Sequence, residues 1–368
     1  MSRKSYGIPY KGSKNMIAEW VVSHVPECDT FIDVFAGGCA IPDCILRRGR
    51  VKHVIANDRD QMPVKCFEMA VRGEFANEDR WISREDFFAL KDVDPYVRFC
   101  FSFGNNAKDY LYSTTIEPYK RAIHYVLVHD DWDDFDRLCP EVCDACRAAL
   151  DGITYRKERR LRFQQAFTER VKELSGDNWL APIVQNNPLY RTVKTKKPKR
   201  GLVAGDGEIV KGMDTIQSLE RLERLQSFES LQSLESLESL ERLERLEHLE
   251  RLERLERLEL TLETSNLDYR ALTERILTTD DAFVYCDPPY RGTQGYGEFD
   301  HDAFLDWALE IGRKRPILIS EYAIDHDGFI GVDAKQKQSC FSAVTSKIVT
   351  EKLYTVKGGV YAAQNNIR

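Results

Sequence analysis

Nowhere in the 368 residues does an apolar run approach the roughly 20 residues that a membrane span requires, so no membrane-crossing segment is expected. The first residues carry charge at Arg3 and Lys4 with no apolar core behind them. That argues against an export signal and for a cytoplasmic chain. The ten cysteines have no regular spacing, which suits reduced thiols better than a disulfide framework. His24, His53, His124, His129 and His326 form no metal-ligand pattern. Cys139, Cys143 and Cys146 fall on one helical face with no fourth ligand near, so no metal site is expected. An excess of positive charge is lacking too. The formal net charge of −7 argues on its face against a nucleic-acid partner.

That last absence is local. Between Ile216 and Leu258 eleven Glu stand against seven Arg, a contribution of −4, which leaves −3 for all the rest. Elsewhere basic residues cluster, from Tyr155 to Arg162 and from Lys194 to Arg200. Arg156, Arg159, Arg160, Lys194, Lys196 and Lys197 become candidates for phosphate contacts, with solvated faces as the plainer reading.

Along the chain, Thr30 to Phe35 is an apolar run that ends in Ala36-Gly37-Gly38 and then becomes helical, a strand, glycine turn and helix. Val51 to Ala56 reads as the next strand of a βαβ unit, and Asn57-Asp58 at its end falls where a ribose-binding carboxylate belongs. From about residue 65 to 200 the texture is aromatic, charged and mostly helical. Parallel-sheet texture returns in Ala282 to Cys286 and Pro316 to Ser320, with a final β region expected from Ser346 to Tyr361.

Between these parts, every third residue from Ile216 to Leu258 is apolar, nearly always Leu. A three-residue period winds around an α-helix instead of forming a stripe, whereas a 3₁₀-helix would align it but rarely persists. Leu, Glu, Arg and Gln are good helix formers, so a helical arm is favoured. It reads equally as a neutral expansion in a tolerant loop and as a self-association arm. At Leu260 and Leu262 the spacing drops to two, which predicts a strand.

Asp287-Pro288-Pro289-Tyr290 follows the strand Ala282 to Cys286 directly, so it projects into the crevice where open α/β sheets bind ligands. Asp287 can accept a hydrogen bond from an exocyclic amine. A carbonyl held by the stiff Pro288-Pro289 pair can accept the second proton, and Tyr290 offers a flat face to an extruded base. Taken alone, the tetrapeptide reads as well as a proline-stiffened turn. With the glycine loop and Asp58 it makes an adenosyl-cofactor pocket credible.

Taken in order, these motifs resemble the Dam-like, D12 class, α-group family of adenine-specific DNA methyltransferases, particularly its phage-type members. Pro9-Tyr10-Lys11-Gly12-Ser13-Lys14 is similar to the family's cofactor segment, and Asp33-Val34-Phe35-Ala36-Gly37-Gly38 to its glycine loop, with Cys39 where a further glycine is common. Asn266-Leu267-Asp268-Tyr269 resembles the motif flanking the cofactor's adenine. Ser102 to Asn106, Arg291-Gly292-Thr293, Tyr296, Phe299, His301, Ser320-Glu321-Tyr322 and Glu351 to Tyr354 extend the similarity.

The resemblance, which covers most of the chain except the leucine triplets, implies a doubly wound, Rossmann-like α/β sheet that binds S-adenosylmethionine, with a mostly helical DNA-recognition insertion; the leucine-triplet arm is added to it. The expected divisions are 1–64 (cofactor part), 65–212 (target recognition), 213–258 (repeat arm) and 259–368 (Asp-Pro-Pro-Tyr part). Tyr10, Lys14, Asp33, Phe35, Gly37, Gly38, Asp58, Asp268 and Tyr269 are expected around the cofactor. Asp287, Pro288, Pro289 and Tyr290 are expected to hold an adenine flipped from double-stranded DNA, in an orphan or a restriction-modification setting. The rival readings are an RNA adenine enzyme, a cytosine-N4 enzyme, and a non-catalytic DNA-binding or assembly protein.

Overall fold

The computed structural model describes residues 5–49, 51–105, 107–176, 181–193, 245, 261–291, 299–339 and 347–367. Their contacts divide the chain into two compact units: residues 1–78, 82–110 and 245–368, and residues 79–81 and 111–244. Among the described residues, no helix is long and apolar enough to cross a membrane.

The first unit is built on a seven-stranded sheet. In chain order the strands are β1 (Thr30–Asp33), β2 (His53–Asn57), β3 (Thr261–Ser265), β4 (Ala282–Cys286), β5 (Ile317–Glu321), β6 (Phe329–Ser339) and β7 (Lys347–Val356). They lie in the order β3-β2-β1-β4-β5-β7-β6. The pairs linking β1 to β5 are parallel, whereas β7 runs antiparallel to both β5 and β6. β1, β4 and β5 are buried at every position, as interior strands covered on both faces require, and their near-continuous apolar runs follow from that. This is a mixed, mostly parallel α/β sheet consistent with a methyltransferase fold. Of the strand expected at Leu260 and Leu262, Leu262 falls in β3, and Leu260 lies outside the described residues. The expected terminal β region stops at Val356 and gives way to a helix containing Tyr361.

Register places the site. Asp33 of β1 stands opposite Ala56 of β2 and Tyr285 of β4, so the carboxyl ends of three parallel strands lie side by side. Chain order reverses there, with β2 on one side of β1 and β4 on the other, which opens a crevice beyond the strand ends.

Helices α1 (Ala18–Ser23), α2 (Ala40–Arg48), α3 (Gln61–Val71), α4 (Arg84–Leu90) and α5 (Pro95–Cys100) belong to this unit. Three begin at side-chain caps: Asp60 accepts from Met62 N at α3, Ser83 from Asp86 N at α4, and Asp94 from Tyr96 N at α5, where Pro95 occupies a position that needs no N–H. The sequence reading begins the insertion at residue 65, but α3, α4 and α5 group with the sheet. Of the leucine-triplet segment, Arg245 lies within the described residues. Its buried Nη1 donates to Phe99 O (3.0 Å), Cys100 O (3.5 Å) and Ser102 O (2.9 Å) at the end of α5.

The second unit is helical, with α6 (Glu117–His129), α7 (Asp133–Leu138), α8 (Pro140–Leu150), α9 (Arg156–Gly176) and α10 (Ala181–Asn186). Phe135, Phe163, Phe167 and Tyr190 pack in its core. Cys139 and Cys146 are buried there, and burial pushes both thiols up to about 12, so they act as small apolar side chains. The remaining helices, α11 (Thr273–Thr278), α12 (His301–Gly312) and α13 (Val360–Gln364), return to the first unit.

Candidate active site

Beyond β1 the chain turns through Val34 to Gly38, and backbone bonds tie this loop to the neighbouring strand ends: Val34 N to Tyr285 O (3.0 Å) and Ala36 N to Asn57 O (2.8 Å). The N-terminal segment lies directly against it. At Gly7 the backbone has φ +68°, and a Cβ would stand 2.2 Å from Gly38 O; at Gly38 a Cβ would stand 2.5 Å from the Tyr10 Cβ. Ile8 N donates to Gly38 O (2.8 Å), and Gly7 N donates to Asp43 Oδ2 (2.7 Å). Asp43 is fully buried on α2 and grips Arg47 through both oxygens. The glycines therefore serve close packing of Tyr10 on the loop, and that packing delivers Lys14 to the strand ends.

Asn57 fixes the next side. Its amide donates to Val34 O and Leu267 O, each at 3.0 Å, and its oxygen accepts from Leu267 N (2.9 Å) and Ser265 Oγ (2.8 Å). One buried side chain thus joins the ends of β1, β2 and β3. Next to it, Asp58 accepts from Gly37 N (2.7 Å) and Asp60 N (2.8 Å). Burial pushes its carboxyl up to about 6 despite those two donors.

At the end of β4, Asp287 Oδ2 lies 2.7 Å from Lys14 Nζ, and Glu351 Oε1 is 3.7 Å from the same ammonium. The ammonium also sits 4.6 Å from the centre of the Tyr290 ring. Tyr290 donates its hydroxyl to Glu351, and its ring meets Tyr322 edge-on at 4.6 Å. His301 Nε2 is 2.8 Å from Pro289 O. Asp287 Oδ1 is buried and has no hydrogen-bond partner among the described residues.

Burial raises the Asp287 carboxyl, Lys14 opposes the rise and Glu351 adds to it; the outcome is upward. For Lys14, burial works against the charge, but Asp287 and Glu351 outweigh it and hold the amine above its ordinary range. Asp33, wholly buried, is pushed well up by burial and by the nearby Asp287. Glu321 at the end of β5 is pushed to about 7, by burial first and then by Asp287 and Glu351, with the Tyr322 N–H opposing. The site is rich in carboxylates, with a lysine between two of them.

Residues 10–132 match the family model of the D12 class N6 adenine-specific DNA methyltransferases. This stretch is similar to a D12 domain. The family is one of S-adenosylmethionine-dependent DNA adenine-N6 methyltransferases. No curated protein matches the chain. The D12 match contains Tyr10, Lys14, the glycine loop and Asp58, and it ends before β4, so Asp287 to Tyr290 stand on their geometry alone.

Around the D12 segment the first unit brings together Tyr10, Lys14, Asp33, Phe35, Gly37, Gly38, Asp58 and Asp287 to Tyr290. Asp268 and Tyr269 follow β3. Asp268 is exposed and caps a 3₁₀ turn by accepting from Arg270 N (3.0 Å), while Tyr269 is buried among Phe304, Trp307 and Phe35, the last at 5.9 Å. In the second unit, Arg159 is spent internally on Leu127 O, Val126 O, Ile153 O and Asp130, where it caps the end of α6. Arg160 is buried, and Arg156 is half-buried. Lys194, Lys196 and Lys197 lie outside the described residues, as does the triplet segment apart from Arg245.

Sequence reasoning gave no role to Asp43, Asn57's amide, Glu321 or Glu351. For Glu351 a signal existed: Glu351, Leu353 and Thr355 share one face of β7, and all three are buried. A charged residue on the inward face of a strand needs a partner, and that marks it for inspection.

Proposed function

We propose that this chain transfers the methyl group of S-adenosylmethionine to N6 of an adenine turned out of duplex DNA. The observation that carries the reading is Asp287, a buried carboxylate at the end of β4 with one oxygen on Lys14 and the other without a partner among the described residues. A solitary buried acceptor beside an aromatic ring suits an incoming amine.

The residues also suit the cofactor. A surplus of buried carboxylates around Lys14 favours a ligand that carries a sulfonium and an ammonium. Tyr10, Phe35, the Gly37-Gly38 backbone and Asp58 would hold it, and it supplies an electrophilic methyl carbon when bound.

The chain's own groups do the rest. The unpartnered oxygen of Asp287 accepts one N–H of the adenine amine. With Pro289 O engaged by His301, the carbonyl of Pro288 accepts the other. Held this way, the nitrogen lone pair leaves conjugation with the ring and points at the carbon. Lys14 keeps Asp287 ionised for that task, and Tyr290 stacks on the base, a contact of about 1–3 kcal/mol. Helices of the second unit then supply sequence recognition.

The test is tritium transfer from labelled S-adenosylmethionine to unmethylated duplex DNA, followed by nucleoside analysis. N6-methyladenine is expected. N4-methylcytosine, or label entering RNA alone, would replace this reading with one of its rivals. Asp287→Ala should lower turnover by about a thousandfold or more while calorimetry still finds cofactor binding. Full activity in that variant refutes the assignment.

A further inference from the structure

Glu351 is completely withdrawn from solvent, and a buried carboxylate survives only with partners. Its partners belong to the site. One is the hydroxyl of Tyr290, at the end of the ring far from its backbone; another is the Lys14 ammonium, which also holds Asp287. Glu351 sits in β7, where it faces Lys335 of β6 in register, and the next residue, Lys352, faces Glu321 of β5. The carboxylate is thus carried by a strand held on both sides, while both partners lie on irregular backbone, one near the N-terminus and one after β4.

The consequence for Tyr290 is geometric. A ring held only at its Cβ can turn about two side-chain bonds. Here the proline-stiffened backbone fixes one end, Glu351 fixes the hydroxyl end, and Tyr322 stands against it at 77°. Stacking requires only the flat face, so the hydroxyl is not needed for contact with a base. It is needed to set the plane.

We infer that Glu351 is a positioning residue of this site: through the Tyr290 hydroxyl and the Lys14 ammonium it aligns the stacking ring and the cation that serves Asp287. The inference rests on the reading of Asp287 to Tyr290 as the amine-binding tetrapeptide. It gives Glu351 no contact with base or cofactor. A carboxylate of merely structural value would, when replaced, lower stability but leave the folded fraction with its full kcat.

The experiment uses the full chain, labelled S-adenosylmethionine and mixed-sequence duplex DNA, both saturating. Glu351→Leu should lower kcat by about 10- to 100-fold with cofactor binding by calorimetry unchanged, a split that a stability defect does not produce. Tyr290→Phe should also lower kcat, and the double variant should be no slower than Glu351→Leu, because both changes release the same ring. Glu351→Gln, which keeps an acceptor for the phenol but loses the charge facing Lys14, should fall between wild type and Leu, more than about twofold below wild type. Where Glu351→Leu fails to fold, the Gln and Phe variants decide: either one within about twofold of wild-type kcat overturns the inference, as does a double variant whose losses multiply. A wild type that transfers no methyl overturns the reading of the site and this inference with it; an active wild type with unaffected Glu351 variants overturns this inference alone.

Discussion

On the proposed reading Asp287 must stay ionised while buried, which needs a cation within reach, and Lys14 stands 2.7 Å away. Burial and Glu351 push the acid upward, and Lys14 is the largest opposing influence, with Tyr290 adding to it. Replacing Lys14 by Met therefore raises the Asp287 pKa further, so the acceptor is neutralised at a higher pH than in the wild type. The acidic limb of the rate–pH profile should move to higher pH, and initial rates across the pH range at saturating substrates would show it; a limb left in place would mean that Asp287 does not need to be ionised. This dependence was not legible in the sequence. Lys14 and Asp287 were each recognisable from their motifs, but motifs do not say that two groups so far apart in the chain share a proton balance.

Among elements, α5 ends on carbonyls that no later turn of helix can satisfy, and Arg245 supplies the missing donors. The guanidinium is buried, so its loss leaves acceptors withdrawn from water. Arg245→Met should cost about 1–3 kcal/mol of unfolding free energy, read from urea denaturation; an unchanged midpoint would mean that the contact is dispensable. β1, β2, β4 and β5 could be read from sequence because interior parallel strands leave long apolar runs. The assignment of α3 to α5 to the sheet-bearing unit could not. An aromatic, charged, helical stretch reads alike whether it covers a sheet or forms a unit of its own.

For the molecule as a whole, the crowd of buried acids sets a pH dependence of stability. Glu321 has a folded pKa of about 7 against an ordinary value of 4.5, so between those two values the folded state binds protons that the unfolded state has released. Stability contributed by this group therefore falls as pH rises through that window and levels off above it, on the order of 1 kcal/mol per pH unit. Glu321→Gln, which keeps an oxygen for the Tyr322 N–H, removes that slope. Its advantage over wild type in urea unfolding should be small at pH 5 and larger at pH 8, and an advantage that is flat with pH would refute the assignment. The strand pattern could flag a buried acid, as it does at Glu351, but how far Glu321 shifts depends on Asp287 and Glu351, whose proximity only the folded sheet creates.

Lys14 precedes the first strand of the sheet and Glu351 lies in β7, yet the ammonium of one reaches the carboxylate of the other. A chain cut anywhere between them separates the two halves of this arrangement. On the proposed reading, a fragment that carries only one of the two partners has no aligned site to offer a base.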